Sequence, residues 1–307
     1  VQRDDAPAAE ATTAAGADGT FSHRFAPGVD LLYNDFVQLE ADVSGHRVSR
    51  YIGSPGIQVD LDRNTVQGQI APDARIRIEA RRGGAVLAGV ESQSGPLGFY
   101  SEMLSGAGGR PLALRQGDVV TVTALEPSGT ALSMTLPELT VDADQAASTV
   151  GGRATTGGSL AVLASDQVGD TAFGFGQAWP EIVAASTWQA DFVPALRVRP
   201  GLSVNAQYRT PEGHIALRTR IVPLLSAEHG GANVCGWAAP SGAVRAELRD
   251  AAGRGKGDGT AEGAWGDGAF HAVLRDDTGA AVTSATSETV SATSAARPPR
   301  WRCRGWT

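Results

Sequence analysis

The stretch Val66-Gln67-Gly68-Gln69-Ile70-Ala71-Pro72 decides the fold, because its opening returns at a fixed interval. Val150-Gly151-Gly152 lies 84 residues downstream, and Val234-Cys235-Gly236 lies a further 84 residues along the chain. Self-similarity at a fixed period is the signature of repeated folding units. The sequence therefore predicts tandem units of about 84 residues.

Each unit has the hydrophobic pattern of β-strands. Arg75 to Ala80 alternates polar and apolar residues, as does Asp118 to Ala124, which is the period of a strand with one buried face. We expect an all-β fold of tandem Ig-like β-sandwich repeats arranged end to end, each with about seven strands in two sheets. The apolar positions recur with the period: Ile76 and Ile78 align with Leu160 and Val162, and then with Val244 and Ala246.

The N-terminal segment matches only the latter part of a repeat. Asn34 to Leu39 is similar to Gly117 to Val122, and Gly19 to Ser22 is similar to Gly98 to Ser101. No Val-x-Gly opening strand precedes them, so we expect the chain to begin within a repeat. The predicted domains are 1–56 as a partial repeat, 57–139 as repeat 1, 140–224 as repeat 2 and 225–307 as a degenerate repeat 3.

These motifs resemble the bacterial Ig-like and carboxypeptidase-regulatory-like modules of surface proteins. Such modules have a Val-x-Gly opening, a Gly-x-Phe/Tyr-Ser segment and a Gly-Asp-x-Val-x-Val strand. This chain has Val66 to Pro72, Gly98-Phe99-Tyr100-Ser101 and Gly117-Asp118-Val119-Val120-Thr121-Val122 at the corresponding places. The resemblance implies an extracellular stalk, adhesin or filament. Repeat 2 departs from the pattern at Leu202, which stands where the Asp would be.

The composition narrows the function further. Hydrophobic residues make up 42% of the 307-residue chain, which is enough for several buried cores. The net charge is −7 with acidic and basic residues well mixed, so the sequence has no basic stripe for nucleic acid. No run of about 18 apolar residues occurs, so we expect no transmembrane segment. A chain that starts at Val1 is typical of a mature protein after processing or of a fragment.

The two cysteines, Cys235 and Cys303, both fall in the last repeat. Two cysteines are too few for a disulfide framework but suffice for one staple in an oxidising compartment. Cys235 lies on the predicted opening strand and Cys303 on the closing strand of a repeat that is poor in large aliphatic residues. We expect a disulfide between them, which would stabilise the repeat by about 4 kcal/mol.

No arrangement of residues typical of an active site occurs in the sequence. The five histidines are scattered, and no His-Glu-x-x-His, Gly-x-Ser-x-Gly or Gly-x-x-x-x-Gly-Lys motif is present. His46 and His214 each follow a glycine, which indicates a residue in a surface turn. The sequence predicts a protein that is not an enzyme and needs no cofactor, with calcium as the one open alternative.

Two acidic clusters suggest Ca²⁺ as a ligand. Asp60, Asp62 and Asn64 precede the opening of repeat 1, and Asp142 and Asp144 precede that of repeat 2. Hard cations prefer oxygen ligands, so alternating carboxylates at a junction between repeats would suit Ca²⁺. The alternative is a solvated linker, because no glycine and no distal glutamate complete an EF-hand loop.

Four tryptophans are candidate partner-binding residues, because exposed Trp side chains stack on sugars or anchor interfaces. Trp179 and Trp188 lie in a stretch of repeat 2 without clean alternation. Trp301 and Trp306 lie in 297–307, the segment that we expect to donate a strand to the open edge of another subunit. The alternatives are that tryptophans of the last repeat fill its core, and that a longer precursor supplies the missing strands.

Two functional classes remain open. The first is a non-enzymatic structural protein, a secreted or cell-surface stalk or filament subunit that forms homo-oligomers by strand complementation. The second is a carbohydrate-binding or accessory region of a secreted enzyme or adhesin. The regular repeat favours the first class. The stretch 283–294 carries eight Ser and Thr residues and is predicted to be either an O-glycosylated segment or an eroded strand pair.

Overall fold

The computed structural model is nearly all β, with 56% of its residues in strands and 2% in helix. It describes residues 1–3, 6–25, 29, 31–33, 35–109, 112–126, 129–166, 175–193, 196–238, 243–261, 269–285, 288–294 and 301–303. The predicted fold class is therefore confirmed at the level of an all-β chain with several small sheets. In the part of the chain just given, no helix is long and apolar enough to cross a membrane.

The strands are short, and two single turns of 3₁₀ helix lie at Ala107–Gly109 and Ala184–Ser186. In chain order the strands are β1 Gln2–Arg3, β2 Ala6–Pro7, β3 Phe36–Val43, β4 His46–Gly53, β5 Gly56–Asp60, β6 Thr65–Gln69, β7 Arg75–Arg82, β8 Ala85–Gln93, β9 Phe99–Met103, β10 Val119–Glu126, β11 Ala131–Thr135, β12 Asp142–Asp144, β13 Thr149–Arg153, β14 Ser159–Asp166, β15 Phe175–Ala178, β16 Thr187–Ala190, β17 Leu202–Arg209, β18 Ile215–Ile221, β19 Leu224–Ala227, β20 Asn233–Trp237, β21 Val244–Arg249, β22 Gly255–Ala261, β23 Ala269–Val273, β24 Thr289–Ser294 and β25 Trp301–Cys303.

The chain folds as two compact units. Unit 1 contains Val1–Glu138, Gly157–Ser159 and Tyr208–Leu217, and unit 2 contains Leu139–Thr156, Leu160–Gln207 and Arg218–Thr307. The predicted domain bounds follow the sequence period instead, and they remain predictions.

Strand pairing follows one pattern in all three predicted repeats. One group of strands pairs in the order β5-β6-β9, and its counterparts are β12-β13-β16 and β19-β20-β23. The other group pairs in the order β8-β7-β10-β11, with counterparts β15-β14-β17-β18 and β22-β21-β24-β25. Each repeat thus contributes three strands to one group and four to the other, because the same alternation and turn signals recur along the sequence.

The alternating positions of the sequence form the cores. Ile76, Ile78 and Ala80 of β7 are buried opposite Ala124, Val122 and Val120 of β10, and burying each larger aliphatic side chain contributes about 1.5–3 kcal/mol. The residues that align with them are buried as well: Leu160, Val162 and Ala164 in β14, Val204, Ala206 and Tyr208 in β17, and Val244, Ala246 and Leu248 in β21.

The glycine of each Val-x-Gly motif lies where any side chain would clash with neighbouring backbone. A Cβ atom on Gly68 would lie 2.1 Å from the carbonyl oxygen of Gly56, and one on Gly152 would lie 2.1 Å from that of Thr140. Gly236 repeats the arrangement, because its Cβ would lie 1.9 Å from the carbonyl oxygen of Leu224. Any side chain at this position would therefore push the neighbouring strand away.

An aromatic ring packs beside each of these glycines. The cross-strand pairs are Gly68 with Tyr100, Gly152 with Trp188 and Gly236 with Phe270. All three rings are buried. The large ring fills the space that the glycine leaves empty on the sheet surface.

The third repeat has one core that both of its sheets share. Leu225 and Phe270 from one sheet cluster with Leu248, Val290 and other buried residues from the other sheet. β24 lies within the Ser/Thr-rich stretch and pairs with β21 as β10 pairs with β7. The strand interpretation of this stretch is thus confirmed for Thr289–Ser294.

Candidate interaction surface

The predicted partial repeat at the N-terminus contains a long, exposed hairpin, the β3–β4 ribbon, which lies at one end of the sheet β2-β1-β3-β4. The strands pair from Phe36↔Gly53 to Val43↔His46 and are joined by Ser44-Gly45. Both turn residues have positive φ, at 51° and 82°, as a type I′ hairpin requires. Residues 19–22, which are similar in sequence to Gly98 to Ser101, lie outside any strand. The Asp18 carboxylate caps a turn there by accepting a hydrogen bond from the Thr20 backbone N–H at 3.0 Å.

A shared turn shows that this ribbon is the counterpart of β10–β11. Asp118 Oδ2 accepts a hydrogen bond from the Arg115 N–H at 2.8 Å, and Asp35 Oδ2 accepts one from the Leu32 N–H at 2.7 Å. The backbone N–H of each aspartate also donates to the carbonyl three residues earlier. The segments around Asp35 and Asp118, which align in sequence, therefore adopt the same turn.

The two hairpins differ in what covers them. β7 pairs along β10 from Val119↔Arg81 to Glu126↔Arg75, and Val120 and Val122 are fully buried. Among the described residues, β3 has only one such pair on the corresponding edge, Phe36 with Gln2 of β1. Most of that edge of β3, and the outer edge of β4 at the end of its sheet, therefore carry backbone groups without a strand partner in the described chain.

One face of the ribbon is mainly apolar, although it also carries Arg50 and His46, and the other face is mainly polar, with Phe36 and Tyr51 among its residues. Val37, Leu39 and Ala41 lie on the same face as Val48 and Ile52 of the facing strand, because opposite residues of an antiparallel pair share a face. Val48 is 55% exposed and Ile52 is 46% exposed. Large apolar side chains with this exposure are typical of a surface that contacts another chain.

Charge is separated between the two strands of the ribbon. β3 carries the acidic residues Glu40 and Asp42, whereas β4 carries Arg47 and Arg50 together with His46. Within the ribbon, Arg47 Nη1 lies 3.7 Å from Glu40 Oε2, and both side chains are exposed. One edge of the ribbon is thus acidic and the other basic.

The predicted partner-binding tryptophans have different positions. Trp179 is 70% exposed and is available for a contact, so its role stays a prediction. Trp188 is only 4% exposed, because it is the buried aromatic partner of Gly152, and it cannot form a contact surface in the folded chain. Trp301 lies on β25, with its side chain outside the described residues, and Trp306 lies wholly outside them.

The segment 297–307 is not a free strand over its described part. Trp301–Cys303 form β25, which pairs with β24 of the same chain through Ala292↔Trp301 and Val290↔Cys303. These backbone groups therefore have a partner within the third repeat, which argues against this segment as the donated strand.

The predicted calcium residues lie in or beside hairpin loops rather than in linkers. Asp60 Oδ1 accepts hydrogen bonds from the N–H groups of Asp62 and Arg63 at 3.0 and 2.9 Å. Asp144 Oδ1, 84 residues further on, accepts them from Ala146 and Ala147 at 2.8 and 2.9 Å.

Asn64 ends the first of these loops with φ 56°, and Asp142 begins β12. In the described part of the chain no three acidic, His or Cys side chains cluster as metal ligands would. Calcium binding stays a prediction.

The predicted disulfide is absent from the structure. Cys235 is a free cysteine with an exposed side chain. Its neighbours Val234 and Gly236 face the core, so alternation along β20 turns Cys235 outward. Cys303 lies on β25 in the other sheet, and its side chain is outside the described residues.

The surface position predicted for His214 is wrong, although His46 is exposed as expected. The Ile57 N–H donates a hydrogen bond to His214 Nδ1 at 3.4 Å, and the ring also contacts the Ser133 carbonyl. Burial lowers the pKa of His214 below 6.5, although the Glu212 carboxylate and the Ser133 carbonyl act in the opposite direction. His214 is buried because 215–217 of β18 pair in parallel with β5.

No protein-family model and no curated protein matches the chain. Among solved structures, a tetra-tandem repeat from the extending region of a large adhesion protein is 20% identical, with a TM-score of 0.20, and the match covers 78% of this chain and 70% of that one. The native conformation of E. coli alpha-2-macroglobulin is 10% identical, with a TM-score of 0.20, over 84% of this chain and 20% of that one. At these TM-scores neither likeness bears on the function of this chain.

Proposed function

We propose that this chain is a non-enzymatic structural protein of the cell exterior, a stalk or filament subunit made of Ig-like sandwiches in tandem. The recurrence of one strand-pairing pattern, with its buried core and glycine–aromatic pair, carries the proposal. Repetition of a folded unit adds length and stiffness.

The polar groups most suited to chemistry have structural roles, which supports the proposal. Asp118 holds Arg82 in a two-pronged ion pair at 2.7 and 2.8 Å. The carboxylates of Asp60 and Asp144 cap hairpin loops, and His214 contacts backbone groups of two other strands.

Assembly by strand complementation is the second part of the proposal. The β3–β4 ribbon supports it, because its counterpart β10–β11 is completed by β7 and β8 while the ribbon keeps an open edge. An exposed strand edge that is not blocked or covered pairs readily with another chain.

Electron microscopy and small-angle scattering of the purified chain test this function. We expect elongated particles at low concentration and regular fibres at high concentration. A single compact globule that never associates would contradict the stalk and the filament together.

Carbohydrate binding is a second candidate, which the exposed Trp179 favours. If this ring stacks on a sugar, Trp179→Ala should remove binding on a glycan array, whereas the exposed control Phe175→Ala should retain it. Equal binding by both variants, or none by the wild type, would exclude this role for Trp179.

A further inference from the structure

The two open edges of the β3–β4 ribbon are complementary in charge. The β3 edge presents Glu40 and Asp42, and the β4 edge presents Arg47 on the same face as these carboxylates and Arg50 on the opposite face. Two β3 edges would repel each other, and so would two β4 edges, but a β3 edge attracts a β4 edge. The ribbon is therefore self-complementary in a head-to-tail sense only.

The geometry points to a second copy of the same chain as the partner: we propose that the outer edge of β4 in one copy pairs antiparallel with the edge of β3 that is open beyond Phe36 in the next copy. This inference rests on the proposed structural function and identifies the surface through which the subunits assemble. Each copy would use one edge as donor and the other as acceptor, so that the contact does not close on itself and builds a fibre.

Two registers keep the apolar face continuous between copies. In one, the pairing within the ribbon is repeated, so that Asp42 faces the next copy's Arg47 and Ala41 faces its Val48. In the other, shifted by two residues, Glu40 faces that Arg47 and Leu39 faces that Val48. A shift by one residue would join an apolar face to a polar one and is disfavoured.

The pairing of β7 with β10 indicates how a neighbouring β4 would change the burial of β3. When β7 lies along β10, Val120, Val122 and Ala124 are fully buried. The corresponding Val37 and Leu39 are only partly buried, and Ala41 is exposed. A neighbouring β4 would supply the missing edge hydrogen bonds and cover part of this apolar surface.

Sedimentation velocity of charge-reversed variants tests the proposal. E40R/D42R makes both edges basic, and R47E/R50E makes both acidic. We expect each variant alone to associate at least about tenfold more weakly than the wild type, because every β3–β4 contact then places like charges opposite each other. An equimolar mixture of the two variants should recover wild-type association, since each basic edge then meets an acidic one.

The fourfold variant E40R/D42R/R47E/R50E is the matched control, because it restores opposite charges within the ribbon. It should self-associate like the wild type yet form no mixed assemblies with it. Circular dichroism of all variants verifies that the ribbon is intact.

Three results would overturn the proposal. If R47E/R50E associates like the wild type, β4 is not part of the contact, as in two-fold pairing of β3 with β3. If both variants form fibres like the wild type, the filament function stands and this surface is excluded. If the wild type stays monomeric at about 1 mM, the surface and the filament both fail, and only a stalk remains.

Discussion

At the scale of single residues, the glycine of the Val-x-Gly motif should be the position where substitution lowers the stability most clearly. A Cβ atom on Gly152 would lie 2.1 Å from the Thr140 carbonyl oxygen and 3.0 Å from the Trp188 ring. We expect Gly152→Ala to lower the free energy of unfolding by about 2–4 kcal/mol, because backbone must move. Urea denaturation measures this. The control Gly89→Ala, where the nearest atom is 3.6 Å away, should change it by less than about 0.5 kcal/mol; equal effects would contradict the steric explanation.

His214 should make the stability of unit 1 depend on pH. Its pKa is lower in the folded chain than in the unfolded chain, so the unfolded state binds more protons and stability rises with pH. The contribution is complete above pH 6.5 and is lost as the pH falls through the folded-state pKa.

Urea unfolding at pH 7.5 and pH 5.5 checks this dependence. The loss of stability between the two values should be smaller in His214→Asn, which keeps an acceptor near Nδ1 but does not titrate. His46→Asn, at an exposed site, should behave like the wild type. An unchanged loss in His214→Asn would show that another group is responsible.

The free thiol of Cys235 gives a third prediction at this scale. Cys235→Ser should change stability by less than about 0.5 kcal/mol, because the side chain is exposed and unpaired. Loss of a disulfide would instead cost about 2–5 kcal/mol. Thiol titration of the native chain should find Cys235 reactive, and a reducing agent should leave the melting temperature unchanged. If the reducing agent lowered the melting temperature, the result would instead support a disulfide between Cys235 and Cys303.

At the scale of elements, Asp118 joins the start of β10 to the end of β7. Burial alone would raise the pKa of Asp118, but hydrogen bonds from Arg82 and the Arg115 N–H outweigh it and lower the pKa. The resulting stability is present above pH 3.8 and is lost as the pH falls through the lowered pKa.

We expect Asp118→Asn to destabilise unit 1 by about 1–3 kcal/mol at neutral pH, because it removes the charge that faces Arg82 in a buried position. Asp42→Asn, on the exposed ribbon, is the control and should change stability by about 0.5 kcal/mol at most. Thermal unfolding compares the two variants, and equal melting temperatures would refute the role of this ion pair.

The elements also show what the sequence could predict. Alternation of apolar residues predicted β7, β10 and β21 together with their buried faces, because one-sided burial leaves a period of two. The glycine–aromatic pairs were missed, since the ring follows its glycine by 32, 36 and 34 residues and loops of unequal length hide the match. The burial of His214 depends on contacts with β5 and β11, which no local pattern encodes.

At the scale of the whole molecule, the period of 84 residues is the property that links sequence, fold and proposed function. The core positions and the strand order recur with this period. Among the polar groups, Asp60, Asp118 and Asp144 form hydrogen bonds within the fold, whereas the β3–β4 ribbon is exposed. Strand alternation explains two of the predictions that failed. It turns Trp188 toward the core, although we expected a contact surface there, and it turns Cys235 outward, although we expected a disulfide across the sheets.

Stretching single chains by their ends tests the central claim that this is a structural protein built of tandem repeats. We predict discrete unfolding steps that each release about 84 residues, or roughly 280–300 Å of extended chain. One step that releases the entire chain, or smooth extension at low force without steps, would contradict it.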